Sequence, residues 1–215
     1  VMIERMLPDG AKQAGIYAQS YRILDAVSMF AYLFATLLLP MFAKMLKDQA
    51  PLGKFTKFSF LLLLSPVLVF VIGCCSYSTE LMDLMYEESI DTSAKIFQVL
   101  IIGFIPISSS YIFGTLLTAN NSMKVMNLMA AAGMICNIGF NAIFIPRYGA
   151  WGAAVVSVIT QFFTGIIQII LSLKYFKFHI PYKDIAKMMV FIFINLLLFY
   201  FLKGALFENW IYNVL

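Results

Sequence analysis

The chain has 215 residues, of which 62% are hydrophobic and 12% are charged, and its formal net charge is +4. Its mean hydropathy is +0.89. Soluble domains are closer to one-half apolar and about one-quarter charged, so this composition excludes an ordinary soluble domain and indicates a membrane protein. Lysines near anionic lipid explain the small positive charge, and we expect no nucleic acid as a partner.

Uncharged stretches recur along the chain, and a helix that spans a bilayer needs about 20 predominantly apolar residues. The longest such runs cover 26–43, 58–79, 96–123, 125–146 and 148–173, and a shorter one covers 188–202. Strands of a membrane barrel would alternate in polarity over about ten residues, which these runs do not. We therefore predict an all-α, polytopic membrane protein with about six transmembrane helices. The predicted helices cover 12–46, 56–77, 93–119, 122–146, 149–174 and 184–207.

The first predicted helix is about 50 Å long at 1.5 Å per residue, which exceeds a hydrocarbon core of about 30 Å. We expect its outer part to project beyond the lipid or to line an open cavity. Arg22 and Asp25 stand three residues apart, so they can pair on one face. Two interpretations of Arg22 stay open. It either anchors the helix at the interface as part of an ion pair, or offers its guanidinium to a phosphate or an acidic sugar in a cavity.

The second and third predicted helices contain Pro66 and Pro106. Proline removes an internal backbone hydrogen bond, so we expect both helices to be kinked, with nearby serine hydroxyls satisfying the freed carbonyls. The segment 80–91 between these helices holds five of the 11 acidic residues of the chain. Its intervening leucines and methionines predict a short helix on the outer membrane surface.

The fourth and fifth predicted helices form a hairpin. Asn137 and Asn141 share one face of an apolar helix, where an amide that faces lipid is costly, so we expect them to face another helix or a wet cavity. This helix is predicted to end at Pro146 and to be followed by a tight corner at 147–149. Small residues at 152–154 then allow the two backbones to approach closely.

The fifth predicted helix carries small and polar residues at helical spacing, which should avoid lipid. They are Ser157, Gln161, Gly165, Gln168 and Ser172. The sixth predicted helix is rich in phenylalanine and leucine and is expected to be peripheral. Trp210 and Tyr212 fit an interfacial aromatic belt, and His179 falls in a basic loop.

Basic residues are unevenly shared between the two sides of the predicted helices. The loops after the first, third and fifth helices carry Lys44, Lys47, Lys54, Lys57, Lys124, Lys174, Lys177, Lys183 and Lys187. The opposite side carries fewer, namely Arg5, Lys12, Lys95, Arg147 and Lys203. Because cytoplasmic loops are enriched in lysine and arginine, we expect those three loops in the cytoplasm and residue 1 on the extracytoplasmic side.

Two segments of the chain resemble a known family. The hairpin holds Asn137 and Asn141 and then the run IPRYGAWGAA at 145–154, and the segment AGIYAQSYRILDAVSMFAYLFATLLLPMFAKML lies near the start. Together they resemble the polysaccharide biosynthesis flippases (Wzx type, O-antigen flippases) of the multidrug/oligosaccharidyl-lipid/polysaccharide exporter superfamily.

This resemblance implies that the chain forms most of one lobe of a two-lobed flippase. It further implies export of an undecaprenyl-pyrophosphate-linked oligosaccharide across the inner (cytoplasmic) membrane by alternating access. The lobe would be the C-terminal one, so we expect the chain to be a fragment whose partner is the missing N-terminal lobe. The substrate-binding residues expected on this basis are Arg22, Tyr17, Gln19, Asn137 and Asn141.

No catalytic constellation, metal-ligand cluster or phosphate-binding glycine loop stands out in the sequence, so we expect neither an enzyme nor a cofactor. Two alternatives remain open. A multidrug/cation antiporter of the same superfamily would need an acid at membrane depth, for which Asp25 is the candidate. A non-transporting membrane scaffold is the other alternative.

Overall fold

The structure is a computed structural model that describes residues 1–178 and 182–205. This part of the chain is all-helical and contains no strand. Its helices are α1 (Met2–Met6), α2 (Gly10–Lys47), α3 (Leu52–Ser76), α4 (Ser78–Met85), α5 (Ile90–Ile102), α6 (Phe104–Ala119), α7 (Met123–Phe176) and α8 (Tyr182–Ala205). The predicted fold class is confirmed at this level.

Four candidate membrane spans occur in the described residues: α2, α3, the segment Ile90–Ala119 and α7, with a shorter apolar segment, Ala186–Leu202, in α8. Six separate crossings stay a prediction. The segment Ile90–Ala119 is the centre of the bundle, because 61% of its most apolar stretch is buried, against 22% for α2 and 17% for α7.

Helix α2 extends slightly beyond its predicted range of 12–46 at both ends. At 1.5 Å per residue its 38 residues span about 57 Å, and the helix continues through Pro40. One face is buried against the bundle, through residues that include Leu24, Ala31, Leu38 and Phe42. The opposite face leaves large apolar side chains exposed, as expected for a helix at the edge of a membrane bundle.

Helix α3 is continuous through Pro66. The Ser65 hydroxyl donates to the carbonyl of Leu61 at 2.7 Å. The carbonyl that Pro66 leaves without a backbone donor is that of Leu62, so Ser65 does not satisfy the freed carbonyl as expected. The acidic segment does contain the predicted short helix, α4, and Met82 on its inner face is fully buried.

The third predicted helix, 93–119, is divided in the structure into α5 and α6 at Gly103. The Gly103 amide bonds the carbonyl of Leu100 at 2.9 Å, three residues back, and Pro106 has no amide hydrogen for the carbonyl of Ile102. The break between α5 and α6 therefore lies about one turn before Pro106, where one backbone hydrogen bond of the helix is missing.

Helix α7 contains both arms of the predicted hairpin, 123–148 and 150–176, which meet at Gly149. The prediction that the first arm ends at Pro146 was wrong, because helical backbone continues to Tyr148. Gly149 breaks the helix with φ 60° and ψ −144°. A side chain from the first arm bonds one from the second, Asn137 to Thr160, so the arms are antiparallel and in contact. A Cβ on Gly152 would lie 2.7 Å from the Phe144 carbonyl oxygen, which shows how closely the backbones approach.

Helix α8 packs against α3 at the periphery of the bundle and exposes side chains such as Met189, Phe193 and Ile194. Lys57 of α3 forms an ion pair with Asp184 of α8. The predicted sixth helix began two residues later, and its last two residues lie outside the described residues, as do His179, Trp210 and Tyr212.

Candidate functional site

The two asparagines of the hairpin make polar contacts inside the apolar bundle. Asn137 Nδ2 donates to Thr160 Oγ1 of the other arm at 3.2 Å, and Asn141 Nδ2 donates to Asn137 Oδ1 at 2.9 Å. Asn141 is only 6% exposed, and its own Oδ1 has no hydrogen-bond partner. Asn137 faces the other arm, as expected, and carries the bond between the two arms, whereas the buried Asn141 bonds Asn137 in its own arm.

The start of α2 is tied to the second arm of α7 at two points. Gln13 Oε1 accepts a hydrogen bond from the Ala150 amide at 3.3 Å, which caps the helix that begins after Gly149. One turn further on, the Tyr17 hydroxyl and Ser157 Oγ are 3.2 Å apart. Tyr17 also stacks on Tyr21, with ring centroids 5.9 Å apart. These contacts hold α2 beside the hairpin.

A cavity of about 300 Å³, here called the Tyr17 cavity, lies where α2, α5, α6 and the hairpin meet. Its walls are Tyr17, Tyr21, Leu24, Leu100, Gly103, Ile107, Asn137, Ser157, Val158, Thr160 and Gln161. The structure therefore brings two of the expected site residues, Tyr17 and Asn137, to one cavity. The break at Gly103 contributes to the wall of the same cavity.

A second cavity of about 420 Å³, here called the Asp25 cavity, adjoins the first, because Tyr21, Ile107 and Gln161 line both. Its other walls are Asp25, Ser28, Ser110, Tyr111, Gly114, Thr115, Thr118, Met126 and Gln168. Together these two neighbouring cavities, here called the groove, are lined by both polar and apolar residues. Asp25 is the charged residue on its described walls.

The polar stripe predicted on the fifth helix is directed toward this groove and the bundle. Gln161 and Gln168 line the groove, and Ser172 is fully buried. A Cβ on Gly165 would lie 3.2 Å from the Pro106 carbonyl oxygen, so this glycine allows α6 to approach α7 closely. Gly165 and Ser172 are buried, whereas Gln161 is exposed, so avoidance of lipid by the whole stripe stays a prediction.

Arg22 stands apart from the groove. It is exposed, it is not among the residues that line either cavity, and it lies beyond salt-bridge distance of Asp25. Successive residues are separated by about 100° around a helix, so Arg22 projects to one side of Tyr21 rather than alongside it. The pair expected from the spacing of Arg22 and Asp25 is therefore absent from the structure.

Gln19, which was expected to bind substrate, lines neither cavity. Its Oε1 accepts a hydrogen bond from Ser93 Oγ at 3.0 Å, and its backbone carbonyl accepts one from the Tyr86 hydroxyl at 3.4 Å. Two residues along a helix correspond to about 200°, so Gln19 faces α5 when Tyr17 faces the hairpin. In the structure Gln19 is a packing residue between α2 and α5.

Several groove residues on α6 were not identified from the sequence as site residues. Ser110, Gly114 and Thr118 follow one another at four-residue spacing, and Tyr111 and Thr115 form a parallel row. This spacing is a helical polar stripe, which could have identified them.

The groove presents hydroxyls, amides, tyrosine rings and one carboxylate, a set suited to noncovalent binding of a polar molecule. No histidine, cysteine or lysine lines it within the described part of the chain. Comparisons with protein-family models, curated proteins and solved structures give no match for this chain. Its function must therefore be argued from the sequence motifs and from the groove.

Proposed function

We propose that the chain is most of the C-terminal lobe of a flippase that moves a lipid-linked oligosaccharide across the cytoplasmic membrane for surface polysaccharide biosynthesis. One observation carries the proposal: two neighbouring cavities with polar side chains on their walls lie in a bundle that leaves many large apolar side chains exposed. The two motifs that resemble the flippase family contribute Tyr17, Tyr21 and Asn137 to that groove.

The chemistry of the groove matches a sugar. Glycan hydroxyls both donate and accept hydrogen bonds, and the walls offer amides, serine and threonine hydroxyls and tyrosine hydroxyls for them. The polyprenyl chain of the same substrate would remain in lipid beside the apolar outer faces of α2 and α7. An amphiphile of this kind can cross without exposing its head group to hydrocarbon.

Arg22 supplies the proposed contact for the diphosphate. It is exposed and directly follows Tyr21, which lines both cavities, so a guanidinium stands beside the groove rather than within it. A planar guanidinium binds phosphate oxygens in a bidentate manner. In this arrangement the sugar occupies the groove and the diphosphate lies outside it, facing a second lobe of the same protein.

The flippase would alternate between inward-open and outward-open states through rocking of its two lobes. The excess of lysines on one side supports a cytoplasmic position for the loops after α2 and α6, with residue 1 outside. The inner membrane and this orientation are parts of the proposal.

A multidrug/cation antiporter is the second candidate, favoured by Asp25, because an acid on the wall of a membrane cavity can exchange a proton or bind a cation. A non-transporting scaffold remains the third possibility. Efflux that depends on a proton or sodium gradient and is abolished by Asp25→Asn would support the antiporter. Partner binding with no transport phenotype would support the scaffold.

The flippase proposal is tested in cells that lack the gene for the full-length protein. Mass spectrometry of extracted polyprenyl-linked oligosaccharides should show a completed repeat unit that accumulates on the cytoplasmic side. The intact gene and an Arg5→Ala control, which changes an exposed arginine on α1, should relieve the accumulation, and Arg22→Ala should not. Unchanged lipid-linked pools in the deletion strain would refute the proposal.

A further inference from the structure

Three of the hydroxyls on the walls of the Asp25 cavity donate their protons to backbone carbonyls. Ser28 Oγ donates to the Leu24 carbonyl at 2.7 Å, and Thr118 Oγ1 donates to the Gly114 carbonyl at 2.8 Å. Thr115 Oγ1 likewise donates to a carbonyl one turn earlier in its own helix. A hydroxyl has one proton, so these three side chains can offer only lone pairs to a molecule in the cavity.

Other acceptors on the same walls have no partner. Gln168 Oε1 and Ser110 Oγ are buried and make no hydrogen bond within the described chain. The Asp25 carboxylate adds two further acceptor oxygens and a negative charge, and no basic side chain lines either cavity. Asp25 is exposed, and its negative charge favours a ligand with a positive charge, while the buried Gln168 Oε1 favours a ligand that brings a hydrogen-bond donor.

Aromatic rings complete the site. Tyr21 and Tyr111 line the cavity, and Tyr32 packs edge-on against Tyr111 with ring centroids 6.0 Å apart. The faces of such rings attract cations. A ligand with a positive charge and hydrogen-bond donors is therefore favoured by the carboxylate, by the unpaired acceptors and by the tyrosine rings.

We propose that the Asp25 cavity binds a protonated primary amine, whose ammonium group donates to the Asp25 carboxylate and to the neighbouring acceptors. Two sources share this chemistry, an amino sugar in a glycan and a free organic amine. Assigning the amine to the glycan rests on the proposed function and specifies it further: the repeat unit carries a free amino sugar. A uronic acid at this position would be repelled by Asp25.

The test measures binding to the purified full chain in detergent by isothermal titration calorimetry at pH 6. The probes are a glucosamine tetramer, its N-acetylated counterpart and a galacturonate tetramer. A hydrogen bond to a charged group contributes about 1.5–3 kcal/mol, so the glucosamine tetramer should bind roughly tenfold or more tightly than the N-acetylated one. The galacturonate tetramer should bind least.

Two substitutions in α2 test whether binding of the amine requires the negative charge of Asp25. Asp25→Asn keeps the shape of the side chain and should abolish the preference for the amine. Asp48→Asn changes an exposed aspartate at the end of the same helix and should preserve it. Equal affinity of the wild-type chain for the amino and N-acetylated tetramers would overturn the proposal, as would displacement of the amine by sodium but not by potassium.

Competition with benzylamine distinguishes an amino sugar from a free organic amine as the ligand. If the glucosamine tetramer binds more tightly than benzylamine and competes with it, the glycan assignment is supported. If benzylamine binds as tightly, the amine site stands and the glycan assignment is overturned. The assay for accumulated lipid-linked oligosaccharide does not depend on these binding measurements. If no oligosaccharide accumulates but the chain still prefers the amine, only the proposed function is refuted.

Discussion

Replacing Gly149 with alanine tests the turn that creates the hairpin. Gly149 adopts φ 60° and ψ −144°, a backbone conformation close to one that is essentially confined to glycine and costs other residues about 1–3 kcal/mol. A Cβ there would also lie 3.2 Å from Gln13 Oε1, the atom that caps the second arm. Loss of that hydrogen bond adds about 0.5–1.5 kcal/mol. We therefore expect Gly149→Ala to lower the free energy of unfolding by about 2–4 kcal/mol.

The matched control is Gly139→Ala in the first arm of the same helix. Nothing lies within 4 Å of a Cβ built at Gly139, and its backbone is helical, so alanine should be neutral or slightly stabilising there. The measurement is the melting temperature of each purified variant in one detergent. For a chain of this size a loss of 1 kcal/mol lowers the melting temperature by about 2–4 °C, so Gly149→Ala should melt about 4–16 °C below wild type.

A double-mutant cycle separates the backbone cost of Gly149→Ala from the cost of losing the capping hydrogen bond of Gln13. In a Gln13→Ala background the capping bond is already lost, so Gly149→Ala should cost about 0.5–1.5 kcal/mol less than in the wild type. Equal melting temperatures for Gly149→Ala and Gly139→Ala would refute the reasoning about the turn. An unchanged cost in the Gln13→Ala background would refute only the role of the cap.

Three further changes test the contacts around the groove, each by the melting temperature in the same detergent. Tyr17→Phe removes the hydroxyl that meets Ser157 and should cost about 0.6 kcal/mol, a typical value for a polar contact between membrane helices; a Ser157→Ala background should remove this cost. Gly165→Val overpacks the contact between α6 and α7 and should cost about 1–3 kcal/mol, so an unchanged melting temperature would contradict the close approach. Asn137→Leu should destabilise more than Asn141→Leu, because Asn137 alone bonds the other arm; the reverse order would contradict this assignment.

The helical class and most helix bounds were accessible from the sequence because they depend on local properties. Apolar run length and charge placed α2 and α3 within a few residues of their observed bounds. The corner at 147–149 was predicted from a proline and a glycine, and the structure places the break at the glycine. Proline fits a helix where its missing donor is tolerated, whereas the φ of 60° and ψ of −144° at Gly149 are essentially confined to glycine, which explains the difference.

Side-chain partners were less accessible. Spacing allowed Arg22 to pair with Asp25, and Gln19 was expected to bind substrate. In the structure Asp25 lines a cavity, Arg22 is exposed and Gln19 bonds Ser93. A helical residue has several neighbours within reach, and the one it contacts depends on which helices pack against each face.

Local sequence patterns predicted an all-helical chain with several apolar helices long enough to cross a membrane and a hairpin with its corner at 147–149. Helix packing places Tyr17 and Asn137 on the wall of one cavity, and Asp25 with the polar residues of α6 on the wall of its neighbour. A serine or threonine whose hydroxyl bonds a carbonyl of its own helix can face lipid, a neighbouring helix or a cavity, so the sequence does not show which of these surrounds it. Packing of α2, α6 and α7 around one another selects among these surroundings.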